Sequence, residues 1–408
     1  MAVLSTPAPP GAEDVKGPPR AAQETYAVGV ADPLLLEKGR HPVGDVFSGT
    51  QRCYQAWAKV LCVLSLAIVI AGALNAYVNA YLRVMQGAAF VVIICAVLST
   101  SDSTKDDPLR PTGGRHVLLM SHYKEDRGMF DRLLNSVYDA QKNAKWEVTV
   151  VIAAEEGSLM ITESWDQTAL SPDPQSLPVH VAVHPKNQPG ERAGLGSNLR
   201  HAINFIMTET SLPVSGTMVT KVDGNCWIPP HFFSQLESAW SSMDDNVCFQ
   251  TSLIELDPRF GEYQECHLFL KPFARFASVL HIMATHVFYL CGFHSSFCMP
   301  LQMICRAGSW DPWMIQEDNL MLYRAALSSE GRLRCHLLRA SVYNAPCLTW
   351  DDVIKQRMRC LTHGWLALGF VFGNIHRLMR APLTMVMLAH SAFMRMFGSV
   401  LLGFFPLT

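Results

Sequence analysis

The 408-residue chain is poor in charge and has no surplus of either sign. Charged residues make up 17% of it against 49% hydrophobic, and the formal net charge is -2. Binding along a nucleic-acid backbone needs a basic surplus, so nucleic acid is excluded as the main partner. The twelve cysteines include no CxxC pair and no local cluster with histidine. They read as reduced, mostly buried thiols facing a cytosolic compartment, which excludes a disulfide framework and a zinc site. No internal repeat is visible. Charge is also missing from Phe276 to Cys305; His281 and His286, inside that stretch, are wrongly spaced to share a helix face for metal binding.

What the chain has in quantity is apolar residues, and they are concentrated. Residues 1–50, rich in Pro, Ala and Gly, lack periodicity and read as a disordered tail. Val60 to Ala73 and then Val84 to Leu98 are free of charge, which predicts a transmembrane hairpin over 57–100. The polar tail ahead of it argues against a cleaved signal peptide. Leu383 to Phe405 offers a further span over 381–408, made costly by Arg395, with a buried or interfacial helix as the alternative. Lys38, Arg40, Arg52 and Lys59 precede the hairpin and Lys105, Arg110 and Arg115 follow it, against Arg83 alone in its turn. By the positive-inside rule both ends of the hairpin face the cytosol.

Between these segments, strand-like and helix-like stretches alternate. His116–Met120, Trp146–Ala153, Val179–Val183, Thr217–Val222 and Val247–Leu256 read as strands. Gly128–Gln141, Leu195–Thr208 and Pro230–Trp240 read as helices. Such alternation implies an α/β domain, over 112–350, with a largely parallel sheet and ligands at the carboxyl ends of its strands. The polar clusters fall at those ends: "SHYKED" (Ser121 to Asp126), "EEGS" (Glu155 to Ser158) and "DGN" (Asp223 to Asn225).

Three constellations carry chemistry. In "VTKVDGNCWIPPHFF" a strand ends on Asp223, with Asn225 two positions on; this suits a Mg²⁺ or Mn²⁺ ion on a diphosphate, and equally a simple polar turn. In "WDPWMIQEDNLMLYRAAL" the spacing of Leu320, Tyr323, Arg324 and Leu327 puts Glu317 and Asp318 at a helix N-terminus. There they are either capping acids or, if aimed into a pocket, a general base. In "KQRMRCLTHGW" Gln356, Arg357 and Arg359 lie within one helical turn, offering amide and guanidinium donors to phosphate or sugar oxygens.

From His116 to Trp365 the order of these motifs resembles the membrane-bound family 2 glycosyltransferases, the group of cellulose, chitin and hyaluronan synthases. The resemblance implies a GT-A (Rossmann-like) catalytic domain flanked by transmembrane or interfacial helices. It assigns Ser121, Tyr123 and Glu125 to the nucleotide contact at the end of the first strand, with Lys124 where the family has Asn. Glu156, before Gly157 and Ser158, takes the place of the nucleoside-binding Asp. "GERAGLGSN" resembles a Gly-Lys-Ala-Gly element, with Arg192 for the Lys and Asn198 for the following Asn. Asp223 and Asn225 match the metal-binding Asp-x-Asp, and Asp223 also the donor site. Glu317 and Asp318 match the catalytic pair, and Gln356, Arg357 and Arg359 the diphosphate and acceptor signature, on a helix that occupies 351–380 together with an interfacial helix.

The activity so implied is inverting transfer from a nucleotide diphosphate sugar to a hydroxyl acceptor, lipid or glycan. It would take place on the cytosolic face, with Mg²⁺ or Mn²⁺ as cofactor. The charge-free stretch from Phe276 to Cys305 reads as an apolar helix lying against the membrane followed by an acceptor loop, with a further span as the alternative. Two departures temper the implied activity. Asn225 removes one acid from the metal shell. Cys360 stands where polymer synthases stack a Trp on the acceptor, which favours transfer of one or a few sugars over processive synthesis. A processive polysaccharide synthase and a non-catalytic nucleotide-binding membrane scaffold remain the alternatives.

Overall fold

The computed structural model describes residues 114–378, apart from 167–169, 172, 174, 193, 242, 256–267, 269–270, 272–294, 314–316 and 331. The tail, the hairpin and the Leu383–Phe405 segment therefore lie outside the described residues. Among the described residues no helix is long and apolar enough to cross a membrane.

Strand β1 (Arg115–His122) is buried from its second residue to its last. Its near-continuous apolar run suits a parallel strand covered on both faces. Val117 and Leu119 face one core, where helix α3 (Leu195–Glu209) contributes Leu199, Ala202, Ile203 and Ile206. Leu118 and Met120 face the other, against Phe130, Leu133, Leu134 and Val137 of α1 (Arg127–Gln141). Helix α1 starts where it does because the Asp126 carboxylate accepts the Met129 backbone N–H at 2.9 Å, an ordinary N-cap.

The remaining elements follow in chain order. They are β2 (Glu147–Glu155), a short α2 (Leu159–Thr162), β3 (Val179–His184), then α3, β4 (Thr217–Asp223), β5 (Cys226–Trp227) and α4 (Phe232–Trp240). After these come β6 (Val247–Glu255), β7 (Ser296–Pro300), α5 (Leu301–Arg306), α6 (Glu317–Ser328), β8 (Arg334–Asn344), α7 (Trp350–Gly373) and α8 (Ile375–Leu378). They build an eight-stranded sheet in the order β3-β2-β1-β4-β7-β6-β8-β5. Strand β1 pairs in parallel with β2 and β4, β2 with β3, and β6 with β8. Strand β7 runs antiparallel between β4 and β6, and β5 is antiparallel to β8.

The strand order turns back at β1: β2 and β3 lie on one side and β4 on the other. In open α/β sheets the crevice beyond such a reversal is where ligands bind. In this crevice Ser121 of β1 stands opposite Asp223 of β4.

Two expectations need correction. The end of the charge-free stretch is not an acceptor loop: Ser296–Pro300 is a wholly buried strand inside the sheet, followed by α5. A continuous apolar run has no period to separate a buried strand from a helix, and only pairing with β4 and β6 decides it. The helix expected ahead of it falls mostly outside the described residues. Helix α4 also begins at Phe232 and not at Pro230. Strand β8 has no clear signature in the sequence, because charged and polar residues interrupt its apolar ones.

Candidate active site

Strand β4 ends on Asp223, and the chain then turns through Gly224 and Asn225 into β5. The turn is pressed against the end of β1. A Cβ at Gly224 would come 2.7 Å from the Ser121 carbonyl oxygen and 3.0 Å from the Glu125 side chain, so only glycine lets the two strand ends close this far. The Asn225 carbonyl accepts from the Ala345 N–H at 3.1 Å, which fixes the far side of the turn.

The first polar cluster sits beside it. Ser121 is buried and Tyr123 is exposed. The Glu125 carboxylate accepts from the backbone N–H groups of Tyr123 at 2.7 Å and Lys124 at 3.1 Å, so it braces its own loop while lying against Gly224. At the end of β2, Glu156 accepts from the Lys186 N–H at 3.0 Å. The Lys186 side chain lies over Gly157, where any Cβ would collide with its Cε and Nζ. Sequence reasoning did not single out Lys186. The Arg192 N–H donates to the Pro312 carbonyl at 3.0 Å, tying its loop to the segment that leads into α6. Asn198 is buried in the first turn of α3.

Helix α6 opens with Glu317 and Asp318, as the spacing predicts. The two face different surroundings. The Asp318 side chain is 14% exposed at the crevice. Glu317 is nearly closed off; burial first, and then the neighbouring Asp318 charge, push its carboxyl up to about 8.

The residue that joins these pieces is Lys221, which no sequence motif singles out. Its side chain is 1% exposed, and its Nζ donates to Asp223 Oδ1 at 2.7 Å and to Asp318 Oδ2 at 2.9 Å. Burial alone would pull its pKa down; the carboxylates of Asp223 and Asp318 outweigh burial and hold it well above the ordinary lysine value. A signal was present: a lysine is the odd member of the otherwise buried strand TMVTKVD, two positions before Asp223 and thus on the same face.

The fold therefore brings together Ser121, Glu125, Asp223, Asn225 and Asp318, with Glu156 on the neighbouring strand end. Gln356, Arg357 and Arg359 lie on the first half of α7, whose N-cap Thr349 accepts from the Asp352 N–H at 3.2 Å. Gln356 is half-buried and Arg359 exposed.

An ion at Asp223 fits the charges present. Lys221 brings one positive charge to the two aspartates it touches. Among the described residues no group of three or more His, Cys, Asp or Glu forms a metal cage. The fit is therefore to a hard cation held by one carboxylate and an amide oxygen and completed by a ligand's phosphates, the ordinary mode for Mg²⁺.

No family model matches this chain, and no curated protein matches it. Solved structures with a similar backbone include a mannosyltransferase from Pyrobaculum calidifontis in complex with GDP-Man and Mn²⁺. It is 14% identical, with a TM-score of 0.49, over 79% of this chain and 84% of that one. GalNAc-T7 with UDP, GalNAc and Mn²⁺ is 12% identical, with a TM-score of 0.35, over 60% of this chain and 45% of that one. Both overlaps fall below the level at which shared architecture speaks to shared chemistry.

Proposed function

We propose that the chain is a glycosyltransferase of GT-A architecture that moves a sugar, with inversion, from a nucleotide diphosphate sugar to a hydroxyl acceptor. The observation that carries this reading is the meeting of Asp223 and Asp318 on one buried ammonium at the carboxyl edge of the sheet, where Lys221 and Asp318 are 97 residues apart. That meeting gives the crevice a donor-gripping acid and a candidate base together. The motif order from Ser121 to Arg359, resembling family 2 enzymes, supports the same assignment.

In this reading Asp318 takes the proton of the acceptor hydroxyl as its oxygen attacks the anomeric carbon. The bond to the diphosphate breaks on the opposite face, and its electron pair leaves with the diphosphate. Asp223 and Asn225 would hold Mg²⁺ or Mn²⁺, which when bound neutralises the diphosphate. By the family resemblance, Ser121, Tyr123, Glu125, Glu156 and Arg192 would contact the nucleotide sugar. Arg357 and Arg359 meet the diphosphate only if the donor bridges the space between α7 and Asp223. A membrane setting, with the site on the cytosolic side and a lipid or glycan acceptor, rests on the charge-free segments around the domain and the basic residues flanking them.

The test is release of free nucleotide diphosphate from a panel of nucleotide sugars by the full chain in detergent, with and without Mn²⁺ or Mg²⁺. One donor should be turned over in a metal-dependent way, and not by Asp223→Ala. Asp318→Asn should lose about 100-fold or more in turnover, the scale of a general base, while donor binding stays within about threefold. Turnover by Asp318→Asn at the wild-type rate would sink the assignment. Silence of the wild-type chain across the panel, with nucleotide still bound, would point to the scaffold.

A further inference from the structure

Lys221 does more than fill space, and the role inferred for it rests on the transferase reading of the crevice. Its ammonium is sealed from solvent, while the two carboxylates it pairs with are not: the Asp223 side chain is 29% exposed and that of Asp318 14%. The cation thus lies behind the crevice and its two partners form the crevice wall. Asp223 comes from the sheet, at the end of β4, and Asp318 from the first turn of α6. Nothing in the local sequence of either element sets their separation. Two carboxylates brought this close repel unless a cation lies between them, and Lys221 supplies it with contacts of 2.7 and 2.9 Å.

We propose that Lys221 is a positioning residue for the transfer step: its ammonium ties the base-bearing helix α6 to the donor-binding end of β4, so that Asp318 is aimed at the acceptor when Asp223 engages the donor. The tie also balances charge through the reaction. Before transfer, Lys221 faces two carboxylates and the trio carries one net negative charge. As Asp318 accepts the hydroxyl proton, the acceptor oxygen bonds the anomeric carbon and the bond to the diphosphate breaks. Lys221 then faces Asp223 alone, the trio becomes neutral, and this happens as the departing diphosphate gains its negative charge. A neutral side chain at 221 would leave the trio more negative at both stages.

The test compares wild type with Lys221→Met, Asp318→Asn and the double variant, each as the full chain in detergent, on the donor that wild type turns over. Lys221→Met should lower kcat by about 100-fold or more while the donor KM changes by less than about threefold, because the lysine acts through the base and not through donor grip. The thermal midpoint of Lys221→Met should fall by about 5 °C or more, since two partly buried carboxylates lose the cation between them. In the double variant, which removes one carboxylate along with the cation, at least half of that fall should be recovered. If Lys221→Met does not fold while the double variant does, the tie is again supported. A wild-type kcat in Lys221→Met, or a midpoint no higher in the double variant than in the single one, would overturn the proposal. Absence of turnover by the wild type on every donor would instead overturn the transferase reading, whatever the midpoints show.

Discussion

Glu317 and Asp318 are neighbours in sequence, yet the fold encloses the first and leaves the second at the crevice. Glu317 is enclosed, and its folded pKa, pushed up to about 8 by burial and then by the Asp318 charge, lies well above its ordinary 4.5. A raised acid of this kind contributes stability that is fully present below about pH 4.5 and is lost as pH rises through about 8. Glu317→Gln keeps the shape without the proton, so its thermal midpoint should fall less than that of wild type between about pH 5 and pH 8. Melting curves across that range check this, and parallel curves for the two proteins would contradict it. Lys221 is the other residue whose state the sequence hides. The letters VTKVD show a lysine before an acid; only enclosure and the arrival of Asp318 turn it into a buried bridge.

At the level of elements, the site depends on how tightly β1 and β4 end together. Gly224 is where that closeness is tested, because any side chain there meets the Ser121 carbonyl. Gly224→Ala must separate the two strand ends or move the turn that carries Asp223 and Asn225. Overpacking of this kind costs about 1–3 kcal/mol, and donor KM is expected to rise roughly tenfold or more, the factor that about 1.4 kcal/mol represents. Kinetics on the preferred donor check it; an unchanged KM would mean that the turn tolerates the shift. Most elements are legible in the sequence because each is announced locally. HVLLM and WEVTVVIA are continuous apolar runs, and α1 and α3 carry apolar residues at helical spacing. Strand β7 is not legible, since SFCMP is part of a longer charge-free stretch in which no period marks a strand.

Across the whole molecule, the end of the sheet opposite the site has its own polar brace. There the buried Glu237 accepts from the backbone N–H groups of Lys145 and Trp146 and pairs with His116 Nε2 at 3.2 Å. Burial holds His116 below its ordinary pKa, so it serves as a neutral donor. Glu237→Ala leaves the buried His116 and two partly buried backbone N–H groups without their acceptor and is expected to lower stability by about 3 kcal/mol. At this size that is roughly 5–10 °C in the thermal midpoint. Donor KM should stay unchanged, because β1 spans the distance between brace and site; a large KM change would show that the two ends are coupled. Among the described cysteines, Cys226, Cys248 and Cys298 are buried. Sequence by itself determined the α/β alternation, the polar clusters at strand ends and the order of the motifs, because each is written in a short run of neighbouring residues. Tertiary structure alone decided that β7 enters the sheet beside β4, that Glu317 is enclosed, and that Lys221 meets Asp318 across 97 residues. Strand pairing, burial and charge balance are properties of residues distant in the chain and brought together, and no local pattern encodes them.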